Sequence, residues 1–65
     1  MPIITINMLN GRTLEQKRAL VEQLTEVVCK TINTPPENVS IIINEMDREN
    51  YARNGQLYID KSINK

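Results

Sequence analysis

The sequence predicts an α/β fold, a βαβ unit closed by a C-terminal β-hairpin. Three features carry that reading. Ile4, Ile6 and Met8 alternate with Thr5 and Asn7, the period of a half-buried strand. Leu20, Leu24, Val27, Val28 and Thr31 then recur at helical spacing. After Pro35 and Pro36 comes the apolar run Ile41, Ile42 and Ile43, which predicts a strand buried on both faces.

In chain order, the first strand is Ile3–Leu9, ended by the turn pair Asn10-Gly11. Thr13 suits a helix N-cap, and Gln16 three positions later completes a capping box. Glu15 puts negative charge in the first turn, where the helix dipole favours it. Glu22, Glu26 and Lys30 belong to the wetter side, with Glu26 and Lys30 a well-oriented i,i+4 pair. The helix fades near Ile32 and Asn33, because Pro35 and Pro36 cannot continue it. Residues 39–46 form the second strand, parallel to the first through a right-handed crossover. A polar loop, 47–50, leads to the hairpin. Its arms, 51–53 and 56–58, flank Asn54-Gly55, the strongest short-range hairpin signal. Residues 60–65 are polar and predicted to be loose unless another subunit holds them.

The 65 residues make one domain, 1–65, near the lower limit for a self-sufficient core. Cys29 is the only cysteine and there is no histidine, so neither a disulfide nor a zinc site is expected. Oligomerisation is the remaining remedy. Two βαβ units paired edge to edge make a four-stranded sheet with two helices on one face, and further dimers can cover the other. Zero formal net charge argues against a nucleic-acid partner. No stretch is long or apolar enough to span a membrane, and the start lacks the pattern of a secretory signal. A cytoplasmic location is the expectation.

Several short stretches fall into a known pattern. They are Met1-Pro2-Ile3, Gly11-Arg12-Thr13, Glu15-Gln16-Lys17, Ile42-Ile43-Asn44-Glu45-Met46 and Asn50-Tyr51, at matching separations. On these the chain resembles the 4-oxalocrotonate tautomerase family over essentially its full length. The resemblance implies a βαβ subunit with a hairpin, assembled as a homohexamer, a trimer of dimers. It implies cofactor-free isomerisation of a 2-hydroxydienoate or an enol, with an amino-terminal proline as base. It also implies an arginine before the helix that binds a substrate carboxylate, often across a subunit boundary. A second arginine, in the second strand, binds the other carboxylate and the developing oxyanion, and a hairpin aromatic makes the pocket apolar. Carried over by position, Pro2 is the base, Arg12 the carboxylate binder and Tyr51 the apolar wall. Ser40 stands where the second arginine is expected. A serine donates one neutral hydrogen bond, not a charge-assisted pair, so a dicarboxylate is the poorer substrate.

Simple chemistry fits these roles. A free amino-terminal proline is a secondary amine, and proton transfer at carbon needs a base with a pKa near operating pH. An apolar pocket and a nearby cation such as Arg12 both disfavour the protonated amine. The plain alternative is that Pro2 merely starts a strand, where its missing N–H does no harm. Arg12 lies beside a helix start, where free N–H groups help hold an anion; otherwise it is a solvated turn residue. Tyr51 also suits cross-strand packing on Tyr58. Arg53, ahead of Arg48, is a candidate for the cation missing at Ser40, since strand residues are better fixed than loop tips. Cys29 reads as a small inert hydrophobe and Glu45 as structural. Two rival functions remain. One is hydration or dehalogenation of unsaturated acids on the same scaffold, which needs a water-activating carboxylate. The other is a non-catalytic oligomeric binding module.

Overall fold

The structure, a computed structural model, describes residues 1–61. Strand β1 is Ile3–Leu9, helix α1 Leu14–Ile32 and strand β2 Ser40–Met46. The hairpin strands are β3, Ala52–Arg53, and β4, Gln56–Leu57, and a single helical turn, α2, covers Tyr58–Lys61. Short 3₁₀ turns, Pro36–Asn38 and Arg48–Asn50, precede β2 and β3.

Strands β1 and β2 pair in parallel, in register from Ile3 opposite Ser40 to Leu9 opposite Met46. The Asn10 N–H donates to the Met46 carbonyl at 2.9 Å and carries the ladder one step further. Period-two alternation divides the pair into two faces. Ile4, Ile6, Met8, Ile41 and Ile43 share the half-buried face. Helix α1 lies over it, tied down at one end by a 2.9 Å bridge from Lys17 Nζ to Glu45 Oε1. Among the described residues, no helix covers the other face. There Ile3 is 64% exposed and Ile42 49%, and Asn44 Nδ2 donates to Asn7 Oδ1 at 3.1 Å.

Local chemistry accounts for the ends of α1. The Gln16 N–H donates to Thr13 Oγ1 at 3.1 Å, and the Thr13 N–H donates to Gln16 Oε1 at 3.0 Å, so two helix-entry donors are satisfied reciprocally. Asn33 closes the helix in the left-handed region, φ 57°, which asparagine tolerates better than most residues. In the hairpin Asn54 and Gly55 both take positive φ, 56° and 78°, as a type I′ turn demands.

Five expectations need correction. Val27 and Thr31 are exposed, while Lys17, Val21, Thr25 and Cys29 are half-buried beside Leu20, Leu24 and Val28. Two strands about 4.8 Å apart are narrower than a helix about 10 Å across, so they cover one flank of α1 and leave the other bare. The expected double-sided burial of 41–43 holds for one face only, because Ile42 points away from α1. Strand β2 begins at Ser40 rather than Val39, whose N–H is taken by the Pro36 carbonyl at 3.1 Å. The hairpin arms are shorter than 51–53 and 56–58, although the Tyr58 N–H reaches the Tyr51 carbonyl at 2.8 Å. Asp60 and Lys61 belong to the α2 turn rather than a loose end, and the rest of that expectation, 62–65, lies outside the described residues.

Candidate active site

Pro2 stands one residue before β1, half-buried, and its carbonyl accepts the Ser40 N–H at 3.0 Å. A proline suits this place because it needs no donor of its own: the ladder is served by its carbonyl. The two positions the resemblance singles out at this end, Pro2 and Ser40, are therefore neighbours. Met1 precedes them, 85% exposed, and joins the proline nitrogen in a tertiary amide.

Arg12 lies at the other end of β1. Gly11, with φ 118°, turns the chain there in a conformation that disfavours residues with a Cβ. The turn places Arg12 beside the α1 entrance, in a cleft of about 200 Å³ with Met8, Gln16, Lys17 and Leu20. Lys17 is occupied by Glu45, whereas no ion pair holds Arg12 among the described residues. Six residue steps of strand at about 3.3 Å each put roughly 20 Å between Pro2 and this cleft. One chain thus cannot bring its own Pro2 and Arg12 to one small molecule.

The hairpin supplies a third group. A cleft of about 350 Å³ is lined by Asn7, Met8, Leu9, Met46, Tyr51, Arg53 and Tyr58. The Tyr51 and Tyr58 rings lie 6.1 Å apart at 57°, a tilted pair of the kind aromatic quadrupoles favour. Arg53 sits 5.9 Å from the Tyr51 ring centre and Arg48 5.7 Å from that of Tyr58. Arg53 Nε and Nη2 both donate to the Tyr51 hydroxyl, at 3.4 and 3.2 Å. That bonding raises the guanidinium pKa above its ordinary value. Tyr51 and Arg53 are therefore brought together, but at the end of the sheet remote from their own chain's Ser40.

Glu45 is bound to Lys17, a partner sequence reasoning did not name. Asn10 Nδ2 donates to Asp47 Oδ1 at 2.6 Å, which commits one loop carboxylate to the turn. Tyr58 was legible only as a packing partner of Tyr51; its place in the cleft depends on the α2 turn, which no short-range signal announces. Among the described residues, no helix is long and apolar enough to cross a membrane.

A sequence profile described as "Tautomerase enzyme" matches residues 2–61. A protein of Bacillus cereus named probable tautomerase is 46% identical over 61 residues, 94% of this chain and all of the relative. A 2-hydroxymuconate tautomerase of Bacillus subtilis is 45% identical over 60 residues, 92% of this chain and 97% of that one. Among solved structures, a 4-oxalocrotonate tautomerase isozyme from Methylibium petroleiphilum superimposes with a TM-score of 0.95 at 41% identity, covering 98% of this chain and 100% of that one. A structure solved for a study of trans-3-chloroacrylic acid dehalogenase activity gives 0.77 at 38% identity, covering 86% and 97%. The βαβ fold and these relatives mark the chain as an isomerase. It belongs to the tautomerase family, in the group of 4-oxalocrotonate tautomerase.

Proposed function

We propose that this tautomerase moves a proton within enol or dienol carboxylates, with the amino group of Pro2 as general base once Met1 has been removed. The observation that carries the reading is the setting of Pro2. It is half-buried and fixed by its carbonyl to Ser40, while Met1 is 85% exposed, so losing Met1 breaks no packing and frees a positioned secondary amine. Arg12 binds the substrate carboxylate, aided by the α1 entrance, and Tyr51 walls the pocket. Because Pro2 and Arg12 lie at opposite ends of one chain, the site is assembled from more than one copy, for which a homohexamer is the proposed form. No cofactor takes part. The relative named 2-hydroxymuconate tautomerase favours a 2-hydroxy-unsaturated acid as substrate.

The test is intact mass followed by assay with phenylenolpyruvate and 2-hydroxymuconate. With Met1 retained, the Pro2 nitrogen has no available lone pair, because resonance ties it to the carbonyl. Protein beginning at Pro2 should be active, and protein proven by mass to retain Met1 nearly inert. Pro2→Ala should lose about 10²–10⁴-fold in rate, the usual range for an impaired general base. Full activity with Met1 in place would reject the proline mechanism and favour a binding module.

The dehalogenase-related structure is the observation behind a second reading, hydration or dehalogenation of an unsaturated acid. That chemistry needs a charged proline as acid and a carboxylate that activates water. Of the two loop carboxylates, Asp47 is bonded to Asn10 and Glu49 lies in the turn Arg48–Asn50, while Glu45 is paired with Lys17. A rate rising with pH through one group supports the base; a rate falling with pH supports the acid.

A further inference from the structure

The cleft beneath the hairpin holds a feature that an apolar wall does not need. Tyr51 carries a hydroxyl, and that oxygen accepts both Arg53 Nε and Arg53 Nη2. A phenol has two acceptor lone pairs and one proton, so with guanidinium donors on the oxygen its O–H is aimed elsewhere. The guanidinium has five N–H donors and spends two on Tyr51, leaving three. No carboxylate pairs with Arg53 among the described residues, in contrast to Arg18, Lys17 and Lys30, each of which has a glutamate partner. The remaining lining, chiefly Met8, Leu9, Met46 and Tyr58, is apolar or aromatic.

We propose that the Tyr51 hydroxyl and the Arg53 guanidinium act together as a carboxylate-binding pair that holds the substrate carboxylate jointly with Arg12, whose cleft shares Met8 with this one. The proposal rests on the tautomerase reading above and deepens it by naming how the substrate is held. Two unlike donors, a neutral O–H and a charged N–H fork, fit the two oxygens of one carboxylate, and the guanidinium geometry makes that contact directional. The apolar lining next to them takes an unsaturated or aryl body. The matching substrate is a monocarboxylate enol with an apolar tail. Since the pair lies at the far end of the sheet from its own Pro2, it serves the Pro2 of a second copy. Both residues are positioning residues for the reaction, not its base.

The test measures binding without turnover, so it stands apart from the proline mechanism. Calorimetry on the assembled protein compares cinnamate, an unreactive apolar carboxylate, with neutral cinnamamide. The expected preference for cinnamate is about tenfold or more, the range for a hydrogen bond to a charged group. Arg53→Ala should reduce that preference by about threefold to tenfold, the remainder being held by Arg12, and should weaken cinnamamide binding much less. Arg53→Lys should retain part of it, because a point charge replaces the fork. Tyr51→Phe should lower it by about threefold to tenfold, and the double variant should lose little more than Arg53→Ala alone, as coupled groups do. Should Arg53→Ala fail to assemble, Tyr51→Phe, which keeps the ring and its packing, decides the matter. An undiminished preference in both variants would assign the carboxylate to Arg12 alone and overturn the proposal. So would an equal loss of both ligands, which marks the pair as structural.

Discussion

At the scale of single residues, the proposed mechanism makes Ser40 the position on which acid preference turns. Ser40 neighbours Pro2 through the 3.0 Å backbone bond and pairs with Ile3 in the sheet. Its hydroxyl is neutral, so a second carboxylate placed there gains no ionic partner. A monoacid enol should therefore be turned over better than a diacid. Ser40→Arg should raise kcat/KM for the diacid selectively, by about 10–100-fold, equivalent to a charge-assisted hydrogen bond of 1.5–3 kcal/mol. Steady-state assays of phenylenolpyruvate and 2-hydroxymuconate on both proteins check it, and an unmodified enzyme that already prefers the diacid would sink it. Arg53 cannot fill the gap at Ser40 within one chain, because its guanidinium is bound to Tyr51 at the other end of the sheet.

At the scale of elements, the strongest local device is the capping box at α1. Thr13→Ala removes the hydroxyl that accepts the Gln16 N–H and leaves a helix-entry donor to water. The expected loss is about 1 kcal/mol, measurable by urea unfolding, whereas Thr13→Ser should be nearly neutral. Equal stability of the Ala and Ser variants would show that the box contributes nothing. The surface pair Glu26–Lys30, at 3.9 Å and largely exposed, should matter far less. This contrast also explains what the sequence could reveal. The cap at Thr13 and Gln16, the alternation of Ile4, Ile6 and Met8, and the Asn54-Gly55 turn are written in neighbouring residues, so they were legible. The side of α1 that meets the sheet was not. Val27 and Thr31 share a flank with Leu20, yet the two-stranded sheet covers the helix only from Leu20 round to Cys29, and that depends on a partner strand distant in sequence. The site divides in the same way. Pro2, Arg12 and Tyr51 could be named from their motifs, but the Tyr51–Arg53 bond and the contact of Lys17 with Glu45 follow only from folding.

At the scale of the whole molecule, a single chain is unfinished. None of its described residues is buried, and Ile3, Leu14, Val27, Ile32 and Ile42 all stand more than 45% exposed. Its radius of gyration is 15.4 Å, with extents of 45 × 24 × 15 Å. A compact chain of this length would have about 10.7 Å. An elongated unit with no buried core among the described residues would gain from copies of itself that remove those side chains from water, each worth about 1.5–3 kcal/mol when fully covered. Light scattering should therefore report a hexamer, and the unfolding midpoint should rise with protein concentration. A folded monomer that persists at micromolar concentration would contradict this.

On the proposed mechanism, the separation of Pro2 from Arg12 by the length of β1 would make catalysis divisible between chains. Two crippled variants, Pro2→Ala and Arg12→Ala, should each impair every site when assembled alone. Unfolded together and refolded as mixed particles, they can complement one another, because a sound proline from one parent meets a sound arginine from the other. Random mixing in equal amounts restores about one quarter of the sites, the product of two independent halves in a symmetric assembly. Recovery of that order from two impaired parents would be a genetic signature of a site shared between chains, and its absence would show that Pro2 and Arg12 do not serve one site.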